Sequence, residues 1–156
     1  FLLNNEMDDF AAAPGQPNLY GLIQGEANAI APGKRMLSSM SPTVCRRGGE
    51  LLVLGSPGGP RIPTATAQVL LNIVVDSDEL QAAVNRPRIH HQWMPDSLAM
   101  ERVGFAEDVR DALRARGHTL AERNSIGDCH AILIDPASGV RLGAADPRQD
   151  GKALGF

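Results

Sequence analysis

Three short clusters in this chain carry groups able to do chemistry. The first is Asn4-Asn5-Glu6-Met7-Asp8-Asp9-Phe10. A ligand ammonium needs two or three acceptors converging on it, and Glu6 with Asp9 supply them if the chain turns between them. The same composition also suits a solvated acidic turn, since charged side chains after a strand are mostly exposed. The second cluster runs from Arg35 through Leu37-Ser38-Ser39-Met40 to Thr43. Ser38 and Ser39 together could hydrogen-bond a ligand carboxylate as neutral donors, although serines ahead of a strand can equally satisfy their own backbone. The third is Gly55-Ser56-Pro57-Gly58-Gly59-Pro60. Adjacent glycines let backbone N–H groups turn inward together, and a following helix N-terminus favours negative charge, so Gly58 and Gly59 suit an oxyanion hole. A phosphate loop would need a Gly-Lys-Ser/Thr ending that is missing, and Leu54 stands where a lipase-type nucleophile elbow needs glycine. An ordinary glycine-rich connection remains open.

Other suggestive residues carry less. His90 and His91 adjoin Gln92-Trp93, but consecutive strand side chains point to opposite faces and cannot easily share one ion. Cys129-His130 has the same adjacency problem. Thr64 and Thr66 suit a helix start. No Ser/His/Asp set is identifiable from spacing, and neither a metal nor a cofactor is implied.

The elements that must position these groups follow from pattern. Ser41 to Arg46 and Glu50 to Gly55 are rich in β-formers and flank Arg47-Gly48-Gly49, which predicts a hairpin. Residues 64–75 are apolar almost all round, broken by Gln68 and Asn72 on one side, which predicts a helix buried on most faces. Asp76-Ser77-Asp78-Glu79 supplies capping residues for a short second helix ending before Pro87. Residues 88–92 and 97–102 read as strands. From Ala106 to Arg116, Val109, Leu113 and the alanines fall at helical spacing, with Gly117 placed to end the helix. Residues 131–134 and 140–144 flank the turn-forming Asp135-Pro136-Ala137-Ser138-Gly139, predicting a second hairpin. The order predicts an α+β layered domain with antiparallel sheets.

Size and composition bound the answer. A chain of 156 residues, 43% hydrophobic and 21% charged, is enough for one compact domain and hardly for two. The formal charge of −3 comes without a basic block, so nucleic acid is a poor partner. Cys45 and Cys129 are too few for a disulfide scaffold. The longest apolar run, residues 69–75, is interrupted by Asn72 and far shorter than the roughly 18 residues of a membrane helix. Phe1-Leu2-Leu3 reads as the tail of an apolar strand with no initiator Met and no signal segment, so the chain is expected to begin inside a larger protein.

Taken in order, NNEMDDF, PGKRMLSSMSPT, LGSPGG, the apolar helix, RPRIHHQWMPD and the closing GAADPRQDGKALG resemble the small subunit of γ-glutamyltranspeptidases, which cleave and transfer the γ-glutamyl group of glutathione. The resemblance implies an α+β fold of the N-terminal nucleophile hydrolase type, a four-layer αββα sandwich, incomplete here. It implies that residues 1–156 form a single domain, the C-terminal part of the small catalytic subunit. The nucleophilic threonine, whose own α-amino group can act as base, and the large subunit would lie outside this chain, leaving it inactive alone. By the same resemblance Glu6 and Asp9 grip the substrate α-amino group, Ser38 and Ser39 hold the α-carboxylate, and Gly58 and Gly59 stabilise the tetrahedral oxyanion.

The implied partners are the large subunit of the same precursor, glutathione or another γ-glutamyl substrate, and an amino acid, peptide or water acceptor. The implied location is periplasmic or secreted. Cephalosporin acylases and capsule-cleaving transpeptidases are similar to this family, and a catalytically inactive binding fragment is a third reading. The serine pair with Glu6 fits a γ-glutamyl substrate best, because an acyl group lacking an amino acid end would not need both grips.

Overall fold

A computed structural model describes residues 6–155 of the protein. The expected strand at Phe1-Leu2-Leu3 lies outside the described residues, and so do Asn4 and Asn5. The described chain begins with a 3-10 turn over Glu6–Asp9 and a long irregular segment, with a second 3-10 turn at Glu26–Asn28.

The first hairpin forms as the sequence predicts. Strands β1 (Thr43–Arg47) and β2 (Glu50–Gly55) pair antiparallel with Arg47 opposite Glu50. Gly48 and Gly49 both take positive φ, 55° and 95°, as a two-residue turn matched to strand twist requires. A 3-10 turn at Gly59–Arg61 leads into α1 (Ile62–Val74), followed by α2 (Leu80–Asn85). Next come β3 (Ile89–His90), β4 (Leu98–Glu101), α3 (Glu107–Ala115) and β5 (Leu120–Arg123). The second hairpin, β6 (His130–Ile134) and β7 (Arg141–Ala144), closes the series.

Two sheets result. One has the order β1-β2-β6-β7 and is antiparallel throughout. The other has the order β3-β4-β5, and its β4–β5 pair is parallel, which corrects the expectation of antiparallel sheets alone. The physical reason is the connection: α3 lies between β4 and β5 in the chain, and a helical crossover returns the second strand in the same direction. β5 itself escaped the sequence reading because Leu-Ala-Glu-Arg shows no apolar alternation.

Helices α1 and α2 cover one face of the four-stranded sheet. The core between them is Leu52, Leu54, Ala65, Val69, Ile73, Leu80, Ala83, Val84, Cys129, Ala131 and Ala144. On the opposite face Val44, Val53 and Ile132 stand in one cross-strand row and are exposed. One helix layer on one sheet is thus half of an αββα sandwich. No helix among the described residues is long and apolar enough to cross a membrane.

Two helices differ from expectation in which side chains they bury. In α1 the buried positions are Ala65, Thr66, Val69 and Ile73, while Leu71 is exposed. The polar pair clamps neighbouring backbone instead of facing solvent: Gln68 Nε2 donates to Ile89 O and its Oε1 accepts from Ile89 N–H, while Asn72 Nδ2 donates to Ala83 O. In α3 Val109 is 43% exposed, and the buried residue is Arg110, which donates to the carbonyls of Glu101 and Arg102 and to Glu122. The helix ends as predicted at Gly117, whose N–H donates to Arg114 O while that of His118 donates to Leu113 O.

Candidate functional site

The acidic turn, the serine segment and the glycine turn meet at one open cleft. Its lining includes Glu6, Asp9, Ser39, Gly58 and Gly59, together with Tyr20, and its volume is about 870 Å³. Ser38 is not among the lining residues.

The acidic turn is held from behind. Phe10 and Ala11 are buried, and Ala11 N–H donates to Asn28 O at 2.9 Å. Glu6 and Asp9 are thereby presented half-buried rather than free in solvent. Asn28 does more than close this contact. Its Nδ2 donates to Asp9 O at 2.6 Å and also to Gln24 Oε1, and its Oδ1 accepts the Leu37 N–H at 2.9 Å. One side-chain amide therefore fixes the carboxylate turn relative to the segment carrying Ser38 and Ser39. Sequence reasoning missed Asn28, since an asparagine in Glu26-Ala27-Asn28 carries no motif.

The two serines are differently engaged. Ser39 Oγ donates to Gly59 O at 2.8 Å, joining the serine segment to the glycine turn. Ser38 Oγ accepts the Met40 N–H at 3.2 Å, the local serine-backbone bond that composition also allowed.

The glycine turn depends on its glycines. Gly58 has φ 135° and Gly59 φ 58°, both in the region that side chains disfavour. A Cβ on Gly59 would also meet the Tyr20 ring, at 2.8 Å from Oη. Among the described residues neither glycine N–H donates to a protein acceptor. Both precede α1, whose N-terminal end adds a positive field. Such a pair can receive an oxygen that gains negative charge.

Tyr20 was not singled out in the sequence. Asn18 Oδ1 accepts N–H bonds from Tyr20 and Leu22, and Gln92 Nε2 donates to Tyr20 O at 2.8 Å. The Arg61 guanidinium lies 5.9 Å from the ring centroid, within cation–π range.

The histidine pair divides as strand geometry predicts. His90 is buried, with Nδ1 at 2.7 Å from Thr64 Oγ1 and Nε2 at 2.9 Å from Gln92 Oε1. Burial pushes its pKa below the ordinary value. His91 is on the surface against Asp96. Thr64 Oγ1 also donates to Arg61 O at the start of α1. Among the described residues no three His, Cys, Asp or Glu side chains are grouped to hold a metal ion.

The comparisons with known proteins decide which family this is. All of residues 1–156 match the family model described as Gamma-glutamyltranspeptidase. The chain belongs to the γ-glutamyltranspeptidase family. A glutathione hydrolase proenzyme of Escherichia coli K12 is 48% identical over 94% of this chain. That match covers 25% of the proenzyme, so the chain spans about a quarter of this relative. The solved γ-glutamyltranspeptidase of Helicobacter pylori is 48% identical and superposes with a TM-score of 0.87, over 96% of this chain and 82% of that one. Farther off, a cephalosporin acylase from Bacillus halodurans is 27% identical with a TM-score of 0.66, over 80% of this chain and 24% of that one. The family's N-terminal nucleophile hydrolase fold accounts for the helix layer on one sheet described above.

Proposed function

We propose that this chain is the C-terminal part of the small subunit of a γ-glutamyltransferase and glutathione hydrolase. In this reading it supplies the substrate grips and the oxyanion hole, acting through a γ-glutamyl-enzyme intermediate. The observation that carries the reading is the meeting of Glu6, Asp9, Ser39, Gly58 and Gly59 at one cleft. Glu6 and Asp9 accept from the α-ammonium of the γ-glutamyl group. Ser38 and Ser39 donate to its α-carboxylate, for which the Ser39 hydroxyl turns from Gly59 O and the Ser38 side chain, which does not line the cleft, turns toward it. The Gly58 and Gly59 N–H groups then face the γ-carbonyl oxygen, where charge develops as the tetrahedral intermediate forms. The nucleophilic threonine, with its α-amino group as base, and the large subunit come from the rest of the precursor. The acceptor is an amino acid, a peptide or water, and the compartment is periplasmic or extracellular. Support for a γ-glutamyl substrate over a simple acyl group is that the cleft presents carboxylates at one end, which a side chain without an amino group would leave unpaired.

The test is Asp9→Ala in the full-length, self-processed enzyme, assayed on a γ-glutamyl anilide and on the glutaryl anilide that lacks the α-amino group. The expected result is a fall in kcat/KM of about 10²-fold or more on the first and little change on the second. Equal activity of variant and parent on the γ-glutamyl anilide would remove the ammonium site.

A further inference from the structure

We infer that a buried ion-pair network behind the cleft, Arg88 and Arg148 with Asp146 and Glu101, acts as a positioning device for the Gly58–Gly59 turn. This rests on the oxyanion role proposed for that turn. Arg88 is 1% exposed and Asp146 0%, and their ion pair is 2.7 Å long. Arg148 forms a fork on Glu101, both contacts at 2.6 Å, and reaches Asp146 Oδ1 at 3.0 Å. Two cations face two carboxylates, so the network is neutral as a whole. Burial opposes the ionisation of Asp146, but the Cys129 N–H and the guanidinium groups of Arg148 and Arg88 outweigh it and hold the carboxyl below its ordinary range.

What the network grips is one loop, residues 126–129. Ile126 N–H donates to Glu101 Oε1 at 2.8 Å, and Ile126 O accepts from Arg88 Nη1 at 3.0 Å. Cys129 N–H donates to Asp146 Oδ2 at 2.6 Å. Both ends of the loop are thus anchored by charged side chains. Its middle lies against the glycine turn. Asp128 N–H donates to Ser56 Oγ at 2.9 Å, and a Cβ on Gly58 would stand 3.7 Å from Gly127 Cα. Gly127, at φ 73°, packs closely on the same turn and on α1: a Cβ there would be 2.8 Å from both Ser56 Oγ and Ala65 Cβ. The loop is therefore a wedge between the network and residues 56–58. Hydrogen bonds to charged groups are stiffer than neutral ones, and an oxyanion hole works only if its donors are already in place. Asp146 and Arg148, remote in sequence from the cleft, would thereby set where the glycine amides point.

The experiment uses the full-length self-processed enzyme with Asp146→Asn, which keeps the shape and removes the charge. A second variant, Arg148→Lys, keeps the charge but loses the fork and is the milder perturbation should Asp146→Asn fail to fold. Three quantities are read on each: kcat on a γ-glutamyl anilide, inhibition by 2-aminobutyrate, which carries the α-amino and α-carboxylate groups without a γ-carboxylate and so reports the two grips, and inhibition by a boronate analogue that forms a tetrahedral adduct with the nucleophile, which reports the oxyanion donors. The expected result is a loss of roughly 10- to 100-fold in kcat and boronate affinity, with 2-aminobutyrate affinity within about twofold. A folded variant with unchanged boronate affinity overturns the inference, and so does an equal loss of boronate and 2-aminobutyrate affinity, the mark of a merely structural role. Gly59→Ala serves as reference. If it leaves boronate affinity intact, the oxyanion assignment itself fails and the inference goes with it.

Discussion

Asn28 occupies the position where one amide decides the distance between two binding ends. Its Nδ2 holds the backbone of Asp9 and its Oδ1 holds that of Leu37, so neither of the proposed grips can shift without breaking one of these bonds. Asn28→Ala in the full-length enzyme is expected to raise KM for a γ-glutamyl substrate about tenfold, the worth of one such bond, with a smaller effect on kcat. Unchanged KM would mean that the turn is held without it. At Gly59 the constraint is of another kind. Alanine there pays a left-handed backbone and collides with Tyr20, so Gly59→Ala is expected to lower kcat by about 10²-fold or more through misdirected amides. These two residues show why the site was only partly readable. The proposed grips and oxyanion donors, Glu6, Asp9, Ser38, Ser39, Gly58 and Gly59, were singled out by type and order, whereas Asn28 and Tyr20 act through backbone contacts that no spacing reports.

At the scale of elements, α3 gives the clearest case of a helix whose existence was legible and whose facing was not. Its apolar spacing and Gly117 located both ends, but the residue turned inward is Arg110, because the strand ends beside it offer carbonyls rather than an apolar floor. Arg110→Ala is expected to destabilise the domain by about 1–3 kcal/mol, since it leaves those carbonyls without their donor. Thermal or denaturant unfolding measures it, and a change within about 0.5 kcal/mol would show that the apolar contacts of α3 suffice. The hairpins were legible for the opposite reason. Gly48-Gly49 and Asp135-Pro136-Ala137-Ser138-Gly139 determine their turns locally, while β5 draws its strand character from its neighbour β4 and has no local signal.

For the whole molecule, the buried charges set the pH behaviour. Burial pulls the His90 pKa below the ordinary 6.5, against the Gln92 hydrogen bond that favours the protonated ring. The unfolded chain then takes up a proton first, so His90 contributes stability that is present near neutrality and is lost as pH falls below about 6.5 toward the folded value. Asp146 has a lowered pKa, so its contribution is present above the ordinary carboxylate value of 3.8 and is lost only at stronger acid. Two separate acid-side losses are expected in a plot of stability against pH, and His90→Gln is expected to remove the upper one and leave the lower. A single loss confined to the carboxylate range in the parent would contradict the assignment of His90. The molecule as a whole also places its cleft where the irregular first segment crosses the start of α1, so the proposed site depends on long-range contacts such as Ser39 to Gly59 and Gln92 to Tyr20.

The most direct measurement is the structure of the self-processed full-length enzyme with glutamate bound. The account predicts the ammonium at about 3 Å from carboxylate oxygens of Glu6 and Asp9, the α-carboxylate on Ser38 and Ser39, and a γ-oxygen against the N–H groups of Gly58 and Gly59. Glutamate seated with its amino acid end away from Glu6 and Asp9, or outside this cleft, would contradict it.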